Sequence, residues 1–137
     1  MMKKNQWLFL ILLGWLLIPA AAPAADFDGS QPLICALKDN FECGPDGCER
    51  VTSEAINLPQ FLRLNFREKQ ITTIREGAQV RTTRIEKADS RDGKMFLRGL
   101  ENDLVWSLVI ADDSGRMVLT IAGDEAGFVI FGACTTP

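Results

Sequence analysis

Hydrophobic and polar residues alternate with a period of two along most of the chain after residue 61. Segment 61–66 places Leu62 and Leu64 on one side of an extended strand and Arg63 on the other. Turn-forming residues separate such segments, and the pair Asp92-Gly93 is typical of a tight hairpin. The predicted strands are Phe61–Phe66, Gln70–Arg75, Val80–Lys87, Met95–Leu100, Leu104–Ala111, Met117–Ala122 and Phe128–Cys134. These strands and their short connections predict an all-β domain, an antiparallel meander that forms an up-and-down barrel or a sandwich.

Two of these segments, Leu104–Ala111 and Phe128–Phe131, consist almost entirely of apolar residues. We therefore expect them to be buried on both faces or to lie at the centre of the sheet. Ahead of the meander, Ser30 and Pro32 precede an apolar run that begins at Leu33. This pattern fits a short capped helix or a strand, and we expect the segment to pack on the sheet.

The first 25 residues have the layout of a secretory signal peptide. Lys3 and Lys4 form a positive head, residues 7–18 form an apolar run, and small residues follow as far as Ala25. We predict cleavage after Ala24, with the bond after Ala25 as the other candidate. The apolar run is shorter than the roughly 20 residues that a permanent membrane-spanning helix needs. The processed protein is therefore expected to be soluble and periplasmic or secreted, with no stable membrane insertion.

Three segments then divide the 137 residues: the signal peptide 1–24, a cysteine-containing segment 25–60 and the meander 61–137. The last two are short enough to form one domain together. Removal of Lys3 and Lys4 changes the formal net charge from −3 to −5. This negative charge argues against general binding of nucleic acid.

Four cysteines follow the signal peptide, and an even number in a small exported domain indicates a disulfide framework. Of the three possible pairings, we predict Cys43–Cys48 together with Cys35–Cys134. Turn-forming residues between Cys43 and Cys48 favour a small loop, and the second bond would tie the first element to the last strand. The spacing of the cysteines is unlike that of zinc knuckles, so no metal site and no cofactor are predicted.

The absence of histidine excludes Ser-His and Cys-His nucleophilic catalysis. No Gly-rich phosphate-binding loop follows a predicted strand. A pair of carboxylates of the glycosidase type remains, and eighteen acidic residues would provide such a pair by chance. We therefore predict no catalytic residues and keep a carboxylate-based hydrolase only as a remote alternative.

Basic residues are concentrated in residues 61–98, which contain ten Lys and Arg against five Asp and Glu. Arg63, Arg84 and Arg98 alternate with apolar positions there, and neighbouring strands of a meander would bring them onto one face. They are predicted to form a patch for an anion or a protein partner, because Arg binds carboxylate and phosphate well. The alternative is a solvated outer face balanced by the acidic ends of the same domain.

The interior of the domain is the second candidate site. A barrel of about eight strands either holds a small ligand or is filled by its own side chains. The pattern therefore predicts a carrier for a small apolar or amphiphilic ligand, or a solid core. The candidate interior residues are Leu64, Leu97, Trp106, Leu108, Leu119 and Ile130.

Three stretches of sequence carry a resemblance to a group of proteins. Residues 27–36 (FDGSQPLICA), 58–63 (LPQFLR) and 131–134 (FGAC) resemble recurring features of small, uncharacterised exported proteins of Gram-negative bacteria. The resemblance spans the processed chain and implies a periplasmic location, with no activity, ligand or site residue attached. The expected function is thus that of an exported, non-catalytic binding or accessory module for an unknown periplasmic protein or small ligand.

Overall fold

The structure of the protein, a computed structural model, describes residues 27–74, 77 and 79–137. The predicted signal peptide, its cleavage site and Arg75 lie outside the described residues. The described part of the chain is all-β, as predicted, and its ten strands form one antiparallel sheet. The strands are β1 (Leu33–Gly44), β2 (Gly47–Val51), β3 (Phe61–Asn65), β4 (Gln70–Ile74), β5 (Thr82–Arg84), β6 (Lys87–Arg91), β7 (Lys94–Glu101), β8 (Leu104–Ala111), β9 (Arg116–Ala122) and β10 (Gly127–Thr135). Over these residues, the structure contains no helix with the length and apolar character needed to cross a membrane.

The sheet curls back on itself into a half-barrel. Its strand order is β5-β4-β3-β1-β10-β9-β8-β7-β6, and β2 pairs with β1 beside this path. The two strands that end the order, β5 and β6, are consecutive in the chain and are separated only by Ile85 and Glu86. The backbone N–H of Ile85 donates to the carbonyl of Lys69 (2.8 Å), and that of Glu86 donates to the carbonyl of Arg98 (3.0 Å). This short connection therefore joins the two edges of the sheet.

Gly99 makes the approach of these edges possible. A Cβ atom at this position would lie 2.5 Å from the carbonyl oxygen of Arg84 and 2.5 Å from Cζ2 of Trp106. Trp106 is the residue directly opposite Gly99 on β8, and its ring covers the bare glycine backbone. Any side chain at Gly99 would push away both the ring and the β5 backbone.

The predicted strand Val80–Lys87 begins two residues too early and is interrupted at Ile85 and Glu86. Its residues contribute β5 and the first residue of β6, since the chain pairs with β4 up to Arg84 and with β7 from Lys87. The sequence pattern also missed β2, whose residues are almost all exposed and so show no apolar alternation. Together with the N-terminal strand β1, these two differences raise the strand number from about seven to ten.

The N-terminal segment is a strand rather than a helix. β1 lies within the sheet between β3 and β10, instead of packing on the sheet as expected. A β-bulge between Leu37 and Asp39 reverses its inward positions, so that Leu37 and then Asn40 face the interior. Gly132 is paired with Leu37, and a Cβ there would lie 2.1 Å from the carbonyl oxygen of Ala36. The bulge therefore requires glycine on the neighbouring strand.

Burial of β8 and β10 on both faces is not observed. Val105 on β8 and Phe131 on β10 are 54% and 43% exposed, because a single curled sheet covers only its concave face. The other expectation, a central position, holds for β10, which lies midway along the strand order. Its partner β1 is the N-terminal strand that was predicted to contact it.

Both predicted disulfides are present. Cys35 and Cys134 face each other across β1 and β10 and are separated by 99 residues, whereas Cys43 and Cys48 face each other in the β1–β2 hairpin. The first pair is buried in the core. Two disulfides and no free cysteine among the described residues indicate an oxidising compartment.

The interior has two ends, which we call the base and the mouth. At the base, Phe27 and Met95 are buried in the core, and the partly buried Phe66 packs against this core. At the mouth, residues 52–60 form a loop, the mouth loop, between β2 and β3. The two candidate sites are placed by this architecture, one on the convex face and one at the mouth.

Candidate functional site

The three predicted arginines lie on the convex side of the sheet, and we call the part of that side formed by β3, β4, β5 and β7 the basic face. Arg63 on β3, Arg84 on β5 and Arg98 on β7 are all exposed, and their sequence neighbours Leu62, Leu64 and Leu97 are buried. The alternation of polar and apolar residues therefore predicted their orientation correctly.

Strand pairing brings these arginines into one region. Arg63 is opposite Thr72 on β4, which is opposite Thr82 on β5, two residues before Arg84. Since neighbouring strands are about 4.8 Å apart, Arg63 and Thr82 are separated by roughly 10 Å. Arg98 lies close to Arg84 where the two edges of the sheet meet. At this point the backbone N–H of Glu86 donates a hydrogen bond to the backbone carbonyl of Arg98. The joined edges thus bring together residues that are distant in the linear strand order.

None of the three guanidinium groups forms an ion pair with another described residue. The ion pairs found among the described residues are Arg50–Asp39, between β2 and β1, and Lys87–Asp89 (3.5 Å) on β6. The second pair lies beside Arg98, because Lys87 is its cross-strand partner. Some of the basic charge is therefore balanced locally, while Arg63, Arg84 and Arg98 remain available to a partner.

Arg84 also lines a shallow polar cleft of about 360 Å³. The cleft brings Lys69 and Arg84 together with the polar side chains of Gln70 and Thr82, while Glu68 contributes one negative charge. Lys69 adopts a left-handed backbone conformation (φ 53°) in the β3–β4 turn. The excess of basic residues in the sequence indicated this region as a candidate site. The cleft itself could not be predicted, because the pairing of β4 with β5 determines which residues line it.

All six candidate interior residues are buried in the core. Leu64, Leu108 and Ile130 are completely inaccessible, and Leu97 is 1% exposed. These four residues are part of the hydrophobic core and are not among the residues that line the cavity described below. Trp106 and Leu119 are different, because both line a cavity at the mouth.

The mouth cavity has a volume of about 170 Å³. Ligand pockets for drug-sized molecules usually exceed about 300 Å³, so this cavity is small. Its walls are mainly apolar, and polar side chains are found chiefly at strand ends. The lining residues are Ile56, Leu58, Pro59, Leu62, Ile71, Thr73, Arg81, Thr83, Glu101, Asn102, Leu104, Trp106, Leu119, Ile121 and Phe128.

Three hydrogen bonds hold the mouth loop over this cavity. The amide of Asn40, the buried polar residue that follows the β1 bulge, donates to Oγ of Ser53 (2.9 Å). Nη2 of Arg81 donates to the backbone carbonyl of Asn57 (3.0 Å). The backbone N–H of Leu37 donates to the backbone carbonyl of Gln60 (2.9 Å). Arg81, which sequence analysis counted only among the basic residues, therefore has a structural role at the mouth.

One polar atom of Trp106 has no partner. The indole N–H of Trp106 is buried, and no described residue accepts a hydrogen bond from it. Buried donors in proteins are nearly always paired, so an orphaned one calls for an explanation. The alternation pattern placed Trp106 in the interior but contained no signal for its unpaired N–H.

A shifted pKa is found outside both candidate sites. The hydroxyl and the backbone N–H of Ser30 lower the pKa of the exposed Asp28 carboxyl near the base. Among the described residues, no three Cys, Asp or Glu side chains are grouped so that they could hold a metal ion.

Comparison with protein-family models, curated proteins and solved structures finds no match for this chain. Fold and sites define its class as a disulfide-linked, all-β protein with an exposed basic face and a small apolar cavity. The resemblance to exported Gram-negative proteins stays a prediction.

Proposed function

We propose that the processed protein is an exported, non-catalytic binding or accessory module that recognises an acidic protein surface through its basic face. The observation that carries the proposal is the convergence of Arg63, Arg84 and Arg98 on one exposed surface with no described acidic partner. Guanidinium groups bind carboxylates in a planar, bidentate geometry, so three of them recognise acidic side chains well. The disulfides and the predicted signal peptide support a periplasmic or secreted location.

The cleft beside Arg84 adds shape to this charge. A carboxylate entering it would meet Lys69 and Arg84 and the neutral donors of Gln70 and Thr82. Glu68 at the same cleft disfavours unspecific accumulation of anions and so contributes to selectivity.

The proposal is tested with poly-L-glutamate as an acidic probe, by titration at increasing ionic strength. We expect binding at low salt that weakens as salt rises, because exposed charges are screened. The variant Arg63→Glu/Arg84→Glu/Arg98→Glu should lose binding. The matched control Lys38→Glu/Arg50→Glu/Arg116→Glu changes the net charge equally but away from the basic face, and it should keep most of the affinity. Equal loss in both variants, or no binding even at low salt, contradicts the proposal.

The natural partner is then sought with a photo-crosslinking residue at position 72. Thr72 lies between Arg63 and Thr82 on the basic face. The control position is Val118, on the convex side of β9, which pairs with Val109 and Phe131. A partner that crosslinks at position 72, but not at position 118 and not in the triple Arg→Glu variant, would support this function.

A further inference from the structure

We propose that the disulfide Cys43–Cys48, which we call the hairpin disulfide, is a redox-controlled tether for the mouth loop. A protein dithiol, of the kind carried by thiol–disulfide oxidoreductases, would reduce it in the folded protein and so release β2 and the start of the loop. The device is separate from the basic face and does not depend on the function proposed for it.

The two disulfides differ in their access to a reductant. At the β1–β2 hairpin, Cys48 is exposed and Cys43 is half-buried. In the base disulfide, Cys35 is 0% exposed and Cys134 is 5% exposed, and both belong to the core. Because exchange requires a thiolate to reach a sulfur atom, access decides which disulfide reacts. A dithiol can therefore attack the hairpin disulfide in the native state, whereas the base disulfide is protected until the core opens.

The exchange would begin at Cys48, the more exposed residue of the pair. A thiolate of the reductant attacks Sγ of Cys48, the bond between the two sulfurs breaks, and its electron pair goes to Sγ of Cys43, which takes a proton from water. The second thiol of the reductant then attacks the mixed disulfide and leaves Cys48 as a thiol. Two electrons pass to the protein, and the reductant becomes a disulfide. Four residues lie between the two cysteines, unlike the two of Cys-x-x-Cys catalysts, so the hairpin is the target of exchange.

Few other interactions hold β2 in place. Among the described residues, β2 pairs with β1 alone and adds no side chain to the hydrophobic core. Arg50 forms an ion pair with Asp39, and its guanidinium carbon lies 5.1 Å from the centroid of the Phe41 ring. Contacts of this kind at an exposed position contribute little, and a two-stranded ladder without a core is marginally stable. Reduction should therefore let β2 separate from β1 while the rest of the sheet stays folded.

The mouth loop starts directly after β2 and depends on it at this end. Ser53 accepts a hydrogen bond from the amide of Asn40, and its backbone carbonyl accepts one from the N–H of Leu58 (2.8 Å). The other end has its own anchor, because the backbone carbonyl of Gln60 accepts from the N–H of Leu37. The first half of the loop should therefore move with β2, and the second half should stay. Since Leu58 lines the mouth cavity, this motion would widen its entrance.

The selectivity of reduction is tested with dithiothreitol as the dithiol. The folded protein is reduced for increasing times, its thiols are trapped with N-ethylmaleimide, and the labelled peptides are identified by mass spectrometry. We expect Cys43 and Cys48 to be labelled together, roughly a hundredfold or more faster than Cys35 and Cys134. Equal rates for the two pairs would overturn the proposal.

The release of the loop is tested by hydrogen exchange after selective reduction. Exchange of the Leu58 N–H should become roughly tenfold or more faster, whereas the Leu37 N–H and the amides of β8 and β9 should change little. The matched control is Cys43→Ala/Cys48→Ala, which keeps the base disulfide. It should exchange like the reduced protein and should not respond to dithiothreitol. Unchanged exchange at Leu58 after reduction, or an equal response to dithiothreitol in the double variant, contradicts the proposal.

Discussion

The base and the mouth of the curled sheet enclose one interior but are packed to different densities. At the base, a Cβ atom on Gly115 would lie 2.3 Å from the carbonyl oxygen of Cys134 and 2.7 Å from Cζ of Phe27, so no space remains even for a methyl group. At the mouth, a cavity of about 170 Å³ separates the mouth loop from Trp106. The difference teaches that one curled sheet can be tightly packed at one end and keep an unfilled space at the other.

The largest expected difference in the free energy of unfolding is between variants that lack one or the other disulfide. Loss of the base disulfide in Cys35→Ala/Cys134→Ala should lower the free energy of unfolding by about 4–5 kcal/mol, because it closes a loop of 99 residues. Loss of the hairpin disulfide in Cys43→Ala/Cys48→Ala should cost only about 2 kcal/mol, because that loop is short. Urea denaturation of both double variants measures the two losses. Equal losses would show that the base disulfide does not carry the larger share of stability.

A second difference concerns two apolar side chains at opposite ends. Phe27 is 4% exposed and fills the base, so Phe27→Ala should destabilise the protein by about 3–5 kcal/mol. Leu104 is 36% exposed at the mouth cavity, so Leu104→Ala should cost about 1 kcal/mol. The comparison is made by chemical denaturation at one pH and temperature. A larger loss for Leu104→Ala would reverse the assignment of the base as the tightly packed end.

The smallest expected effect is a pH dependence at the base. Ser30 lowers the pKa of Asp28 in the folded protein, so the ionised carboxylate stabilises the fold at pH values above its unfolded pKa of about 4. This contribution is lost as the pH falls through the lowered pKa. Between pH 5 and pH 3, the original protein should therefore lose slightly more stability than Asp28→Asn, and near pH 7 their pH dependence should be parallel. Urea midpoints over this range test the sign, and a steeper loss in Asp28→Asn would contradict it.

Much of the sheet could be predicted because local signals determine it. Asp92-Gly93 and Asn102-Asp103 adopt left-handed backbone conformations in the turns before β7 and β8, as residues of these types readily do. The alternation of polar and apolar residues along β3 correctly predicted that Arg63 faces outward and Leu64 faces the interior. The cysteine spacing predicted which strands meet, because a bond from Cys35 to Cys134 requires β1 beside β10.

The remaining features depend on tertiary contacts that leave no local pattern. The chain passes from β4 to β7 at Ile85 and Glu86, and nothing in the sequence of Val80–Lys87 marks that change of partner. The bulge in β1 exchanges its inward and outward positions within one strand. The mouth cavity combines the ends of several strands with the mouth loop, so its existence could not be inferred from any one segment.

The pairing of β1 with β10 has a consequence for the order in which the protein acquires its structure. The middle of the sheet is built from the first and the last strands, so a chain emerging from a ribosome or a translocation channel lacks its central ladder until residue 135 is free. Until then, both halves present unpaired strand edges, which readily associate with other chains. Long-range pairing of this kind also folds slowly. The protein is therefore most prone to aggregation in the interval between the start of its synthesis and the pairing of β10 with β1.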